Sequence, residues 1–356
     1  MAVSGSNYQI LNPQNTVIET STSSSTTFNW LLGTGAHATA GNTIYIKTGA
    51  YTVDKTWNIN INSVTITFQN GAILTAIAHG SNVGDTNCNM MWIYGNSVTV
   101  TGITLDGNGL NQYPAPNVKL PVSSNQNNGI TYSGNNIIIQ NAVIHNIRDF
   151  GITAAFGQGG TNDLVTNSTI YDCGANALQS DPTSVTNAFT NNIVYNCGDV
   201  GISTQGLSDI ITGNTVSSCW GPTNPMYGYQ GTAENPQGSA WGIGVETGRG
   251  TSTAYLIIAN NTLSNNGIGI WTNGGDYILI SGNTLTNCNL QSYGAAIVIN
   301  PNAASVKVEY NTITTAPIGI NLEGAGCTSN IVYGNVFKSC IANFVNNGQG
   351  TITTAP

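Results

Sequence analysis

Asp181, Gln205 and Glu246 are the groups in this sequence best placed for acid–base chemistry, because they fall at equivalent positions of a repeated segment. Aligning the segments on one apolar residue gives Ile152, Leu178, Ile202, Ile243, Ile270, Ile297 and Ile320. Three residues further on, the column reads Ala155, Asp181, Gln205, Glu246, Asn273, Asn300 and Glu323. One residue further on it reads Thr153, Gln179, Ser203, Gly244, Trp271, Val298 and Asn321. Side chains alternate along a strand, so both columns point away from the side that the Ile/Leu column packs. One sheet face is therefore predicted to carry acids, amides and an aromatic in a row.

If the segments stack as neighbouring strands, Asp181 and Glu246 stand two strands apart, with backbones about 9–10 Å apart. Their side chains could close that toward the roughly 6.5–9.5 Å used by inverting glycoside hydrolysis. A wall that desolvates one carboxyl would raise its pKa, as a general acid needs. The other reading leaves both as ordinary surface acids, since a register error of one residue flips every side chain.

Such a wall is predicted from the long insertion at 219–241, which includes Trp220, Tyr227, Tyr229 and ends on Trp241. Its aromatic residues, with Trp271, Gln205 and Asn273, are candidate sugar-binding groups. Arg249, just after Glu246, is a candidate substrate clamp. Alternatively the insertion only covers the side of the fold. A second constellation is His145, Arg148 and Asp149. In a lyase or epimerase, Arg148 could neutralise a uronate carboxylate while His145 or a tyrosine abstracts a proton. A purely structural Arg148–Asp149 pair is the competing reading.

These positions must be held by a repeating scaffold. Asn-Thr-hydrophobic recurs at Asn214, Asn261, Asn283 and Asn311, with looser copies at Asn192 and Asn335. Asn192 to Asn214 and Asn261 to Asn283 are 22 residues each, whereas Asn214 to Asn261 is 47, read as one repeat with a large loop. Each repeat holds three short strands bounded by Gly and Asn. Stacked repeats make ladders, one of them Ile144, Ile170, Val194, Val216, Leu263, Leu285, Ile313 and Phe337. The Asn column is expected to be structural, because Asn tolerates left-handed angles and its amide can bond the next coil. Cys173, Cys197, Cys219, Cys288 and Cys340 share another position and are expected to be a ladder of buried free thiols.

The chain resembles the pectate-lyase-like superfamily of right-handed parallel β-helices, whose members carry a similar Asn ladder. The resemblance covers nearly the whole chain. It implies an all-β fold, a three-sheet right-handed parallel β-helix, with a short N-terminal capping helix at Thr26–Leu32. Residues 1–60 are then the cap and first strands, and 61–356 one continuous domain of coils. Lyases, hydrolases, epimerases and phage tailspikes share the fold, so activity does not follow from it. The Asn-Thr-Asp, Asp-Asp and Gly-His-Gly signatures of polygalacturonases are absent, as is the Asp/Arg cluster of calcium-dependent pectate lyases. No catalytic residue is carried over from either.

Composition narrows the partners. Charged residues are 6% of the chain and the formal net charge is −8, with 7 Lys+Arg. No basic patch exists, so nucleic acid is not an expected partner. The same scarcity weighs against a strongly acidic polymer, although calcium could bridge one. No other cofactor is expected, and no zinc site, with no Cys-x-x-Cys pair and 3 His. No apolar run reaches the roughly 18 residues of a membrane span. No signal peptide is visible, and the opening Met1–Ser6 reads as a mature chain behind an added Met. The composition favours an extracellular, secreted protein. The leading expectation is a glycoside hydrolase or glycosyl-transferring enzyme on a polysaccharide. The alternatives are a lyase or epimerase at His145/Arg148, and a glycan-binding or surface-fibre module without catalysis. The chain could act as a monomer or a side-by-side homotrimer.

Overall fold

The computed structural model describes residues 8–11, 17–21, 28, 32, 38–77, 89–111, 128–219, 240–246, 255–288, 294–301, 303–349 and 352–354. The chain winds as a parallel β-helix of three sheets. One coil shows the plan: Val200–Thr204 lies in the first sheet, Ile210–Thr212 in the second and Thr215–Ser217 in the third. The first and third sheets have 11 strands and the second has 14. Among the described strands, the antiparallel pairings are confined to one end. There Tyr8–Leu11 pairs with Val17–Ser21 and with Thr43–Ile46. That hairpin has no counterpart in the sequence reading; parallel pairing starts between Thr43–Ile46 and Thr65–Phe68.

Of the expected capping helix, Phe28 and Leu32 alone are described; both are helical and fully buried. Phe28 stacks on Trp57 with ring centroids 3.9 Å apart, so these side chains meet the core at its first coils. No helix is delimited among the described residues of that stretch.

Registers follow the ladders. Ile144, Ile170, Val194, Val216, Leu263, Leu285, Ile313 and Phe337 pair strand to strand without a skip. Val216 pairs directly with Leu263, so the 47 residues from Asn214 to Asn261 form one coil with an inserted loop. From Ile144 to Ile313 this column is fully buried. It is a linear core in which each residue packs on its equivalents above and below.

Corners of the regular coils, such as Asn167–Ser168, Asn191–Asn192 and Asn196–Cys197, turn on one left-handed residue followed by one inward residue. Between the second and third sheets the left-handed residue is Asn191, Asn260 or Tyr310 in different coils, with φ of 55, 56 and 55°. The ladder Asn comes next. The positive φ thus belongs to the residue before the ladder Asn, and the ladder residue itself is kept for its amide. Asn261 Oδ1 accepts from Asn214 N at 2.9 Å and from Asn214 Nδ2 at 3.0 Å. Asn261 Nδ2 donates to Ile211 O and to Asn283 Oδ1, both at 2.9 Å. The buried polar groups of the corner are thereby satisfied coil by coil.

Between the third and first sheets the inward residue is Cys173, Cys197, Cys219 or Cys288, all buried and free. Burial raises the Cys197 and Cys288 thiols above the usual range. Asn266 interrupts this row and bonds Cys219 N through its Oδ1 at 3.0 Å. Cys340, at the last copy, is free and only partly buried. Between the first and second sheets the inward row includes Asp163, Asn187 and Asp209. Asp163 N donates to Asn187 Oδ1, and Asn187 N to Asp209 Oδ1, each at 3.0 Å.

Candidate functional site

The first sheet keeps the register read from the sequence. Ile152, Leu178, Ile202, Ile243, Ile270, Ile297 and Ile320 are paired in succession. Ser203 opposes Gly244, and Gly244 opposes Trp271. Gln205, Glu246, Asn273, Asn300 and Glu323 follow the ends of these strands and are all partly exposed.

Glu246 is the chemically distinctive member of the row. Its Oε2 accepts from Gln205 Nε2 at 3.1 Å and from Ser203 Oγ at 3.2 Å. Burial, and then the negative charge of Asp199, push its pKa up from 4.5 to about 7 against those two hydrogen bonds. The carboxyl is therefore poised to hold or release a proton near neutrality. Asp199 stands just ahead of the strand Val200–Thr204 that carries Ser203. It is the second carboxylate of this locality. In the sequence Asp199 stands at the repeat position of Asp149, and Ser203 in the column one residue after the Ile/Leu ladder.

Asp181 is not part of this group. It is 2% exposed. Its Oδ2 accepts from Gly157 N at 2.9 Å, and its Oδ1 from Thr183 N at 2.9 Å and Thr183 Oγ1 at 2.6 Å. The carboxylate ties two neighbouring corners together, as short acidic side chains do in turns. Below the site, Gln205 N donates to Ser180 Oγ at 3.0 Å. Ser180 Oγ donates to the interior Asp209 Oδ2 at 2.6 Å, so the backbone of Gln205 is anchored from inside the solenoid.

Beside the polar row lies an apolar cluster of Val200, Trp241, Ile268, Ala295 and Val298, with Trp271 and Ile318 packed against it. Trp241 and Trp271 stack at 3.8 Å between ring centroids and 21° between planes. The stack requires glycine at 244, on the strand of Trp241 and opposite Trp271: a Cβ there would lie 2.8 Å from Trp241 Cε3. Trp241 is 8% exposed and Trp271 is more open, so Trp271 is the ring offered at the margin. Trp220, Tyr227, Tyr229 and Arg249 lie outside the described residues.

The His145 constellation is divided. His145 sits on the third sheet, where it pairs with Tyr171 and Tyr171 with Tyr195. Their rings stack at 5.0 and 4.7 Å, and His145 Nδ1 is 3.9 Å from Asp106 Oδ1. Burial pushes the Tyr171 hydroxyl above its usual pKa, and nearby Asp172 and Asp106 add to this, the wrong direction for a proton-abstracting base. Arg148 is 1% exposed and Asp149 6%, at the corner that follows. Asp149 is the charge that offsets the desolvation of Arg148. Among the described residues no group of three or more His, Cys, Asp or Glu could hold a metal ion.

A family model described as the right handed beta helix region matches residues 89–235 and 237–354. No curated protein matches the chain. Among solved structures, the A-module of mannuronan C-5 epimerase AlgE4 of Azotobacter vinelandii has a TM-score of 0.61 at 14% identity. That match covers 88% of this chain and 91% of the module. The surface adhesin PfbA of Streptococcus pneumoniae gives 0.56 at 13% identity, over 88% of this chain and 86% of its own. An alginate lyase from Paenibacillus sp. str. FPU-7 gives 0.55 at 15% identity, over 90% of this chain and 96% of its own. Likeness at such identities is likeness of fold.

Proposed function

We propose that this chain, which belongs to the right-handed β-helix family, is a carbohydrate-active protein that hydrolyses a glycan along the strand ends of its first sheet. The observation that carries this reading is the Glu246 carboxyl, held at a pKa of about 7 beside Asp199 and bonded by Gln205 and Ser203. Glycoside hydrolysis needs two carboxyl groups in different protonation states. Glu246 serves as the general acid that protonates the leaving oxygen. Asp199, the second carboxylate, assists the opposite side of the reaction. Trp271 supplies an apolar ring against which the C–H face of a sugar packs, and Gln205 and Asn273 bond hydroxyls.

Several neighbours in fold are named for carbohydrate chemistry, among them the epimerase and the alginate lyase. Secretion fits such a substrate and the low charge of the chain. A lyase or epimerase centred on His145 and Arg148 is supported less well, because Arg148 is buried beside Asp149. A binding module without turnover would keep the same face.

A panel of polysaccharides tests the proposal. Release of reducing ends without absorbance near ~235 nm supports hydrolysis by general acid catalysis. A rise in that absorbance indicates an unsaturated product and a lyase. Binding without either product leaves a recognition module.

A further inference from the structure

We propose that Asp209 is a positioning residue for Glu246: from inside the solenoid it holds the turn that carries Gln205, and so aims the Gln205 amide at the carboxyl. The inference rests on the reading of Glu246 as the general acid, and it names a residue that stands out of reach of a substrate.

Asp209 is fully buried. Its Oδ2 accepts from Ser180 Oγ and from Thr204 Oγ1, each at 2.6 Å, and its Oδ1 from Asn187 N at 3.0 Å. Ser180 Oγ, which gives its proton to Asp209, turns its lone pairs to Gln205 N at 3.0 Å and Gly206 N at 3.2 Å. A hydroxyl has one proton and two lone pairs, so Ser180 is fully used and the carboxylate sets its direction. Thr204 stands immediately before Gln205 and Gly206 immediately after. A Cβ on Gly206 would lie 2.8 Å from Asp209 Oδ2, so the turn closes directly over the carboxyl. The backbone on both sides of Gln205 is thus fixed from within. Its side chain leaves the turn outward and donates to Glu246 Oε2.

The corner itself does not call for an acid. In the next three coils the position of Asp209 is taken by Leu256, Ile278 and Val306, all buried. Burial raises the Asp209 pKa, and the bonds from Ser180, Thr204, Asn187 and Gly206 oppose that rise. Of these donors, Thr204 and Gly206 flank Gln205, and Ser180 bonds it. Asparagine could not serve, because its amide presents a donor either to Asn187 N or to Ser180, which has no lone pair left.

The test is a substrate-free ¹³C titration of the full chain labelled at its glutamate carboxyls, the Glu246 signal being identified by its loss in Glu246→Gln. The groups that act on Glu246 among the described residues are Asp199, Gln205 and Ser203. Asp209→Asn and Ser180→Ala should each loosen Gln205, weaken its bond to the ionised carboxyl, and carry the Glu246 midpoint from about 7 to about 8. Loss of a negative charge at Asp209 would by itself act the other way, so the direction separates positioning from direct electrostatics. In a Gln205→Leu background neither substitution should move the midpoint further, because the amide they aim is gone. Asp163→Asn is the control. Asp163 is buried in the same row and accepts from Ile137 N at 2.8 Å, so its substitution should leave the Glu246 midpoint in place. If Asp209→Asn does not fold, Ser180→Ala decides. A midpoint that stays or falls, a rise that persists undiminished in Gln205→Leu, or an equal rise in Asp163→Asn would overturn the positioning role and leave the Glu246 site standing. A parent Glu246 that titrates near 4.5 would overturn the site and this inference together.

Discussion

Gln205 Nε2 donates to Glu246 Oε2 over 3.1 Å, linking the residues that follow two paired strands of the first sheet. The bond stabilises the ionised carboxylate, while burial and Asp199 oppose ionisation. The balance between them sets the proton affinity of the proposed acid. Gln205→Leu removes one of the two bonds that lower the pKa, so the Glu246 pKa should rise above its present value of about 7. A ¹³C NMR titration of the glutamate carboxyls reads this without a substrate. With a substrate, the fall in kcat/KM on the alkaline side should move to higher pH. An unmoved or lowered midpoint would show that the bond does not govern Glu246.

The same carboxyl links folding to pH. Its native pKa of about 7 lies above the ordinary 4.5, so between those values the folded chain holds a proton that the unfolded chain has lost. Stability from this group is full below about pH 4.5 and declines as pH rises through 7, by roughly 3 kcal/mol in all. Glu246→Gln should lack that decline. Paired urea melts from pH 4.5 to 7.5 should show the variant gaining on the parent as pH rises. Asp163, whose pKa burial also pushes to about 7, contributes alike to both chains and drops out of the difference. A difference that stays flat with pH would mean that Glu246 ionises normally.

The Asn ladder should matter for stability and not for chemistry. Asn261→Ala orphans Asn214 N in the corner between the second and third sheets, and takes one partner from the Ile211 carbonyl and one from Asn214 Nδ2, which keeps Phe189 O and Thr212 O. An orphaned buried group costs roughly 1–3 kcal/mol, so the midpoint of unfolding should fall clearly. Glycan binding by the protein that remains folded should be unchanged. Lost binding with an unaltered melt would reverse the assignment.

The thiol ladder gives a chemical readout. Cys173, Cys197, Cys219 and Cys288 are buried and free, and burial disfavours the reactive thiolate of Cys197 and Cys288. All four should resist alkylation in the native protein and react once it is unfolded, with no reductant added. Intact-mass analysis counts the adducts. A Cys173–Cys197 disulfide in the peptide map would contradict the ladder.

The architecture was legible because a solenoid writes each structural role many times. Ile152, Leu178 and Ile202 fix a register that one residue alone could not, and Val216 against Leu263 resolves the long repeat into one coil with a loop. The N-terminal hairpin, which occurs once, left no repeat to read. Glu246 was legible for the same reason, since its column marks an outward position. Asp181 shares that column, and its separate fate was not legible. The choice depends on whether a side chain reaches Gly157 N and Thr183 in neighbouring turns or stays beside the sheet, and periodicity carries no information about that. His145 and Arg148 are close in sequence yet differ in setting, because one belongs to a strand face and the other to a corner.

The most direct test of the account is the rate of reducing-end release by Glu246→Gln on whichever polysaccharide the parent chain cleaves. The substitution preserves size and removes only the ionisable group. The account predicts a loss of about 10²–10⁴-fold in kcat, with binding retained and the fold intact by circular dichroism. A folded Glu246→Gln protein that keeps the full parent rate would contradict it.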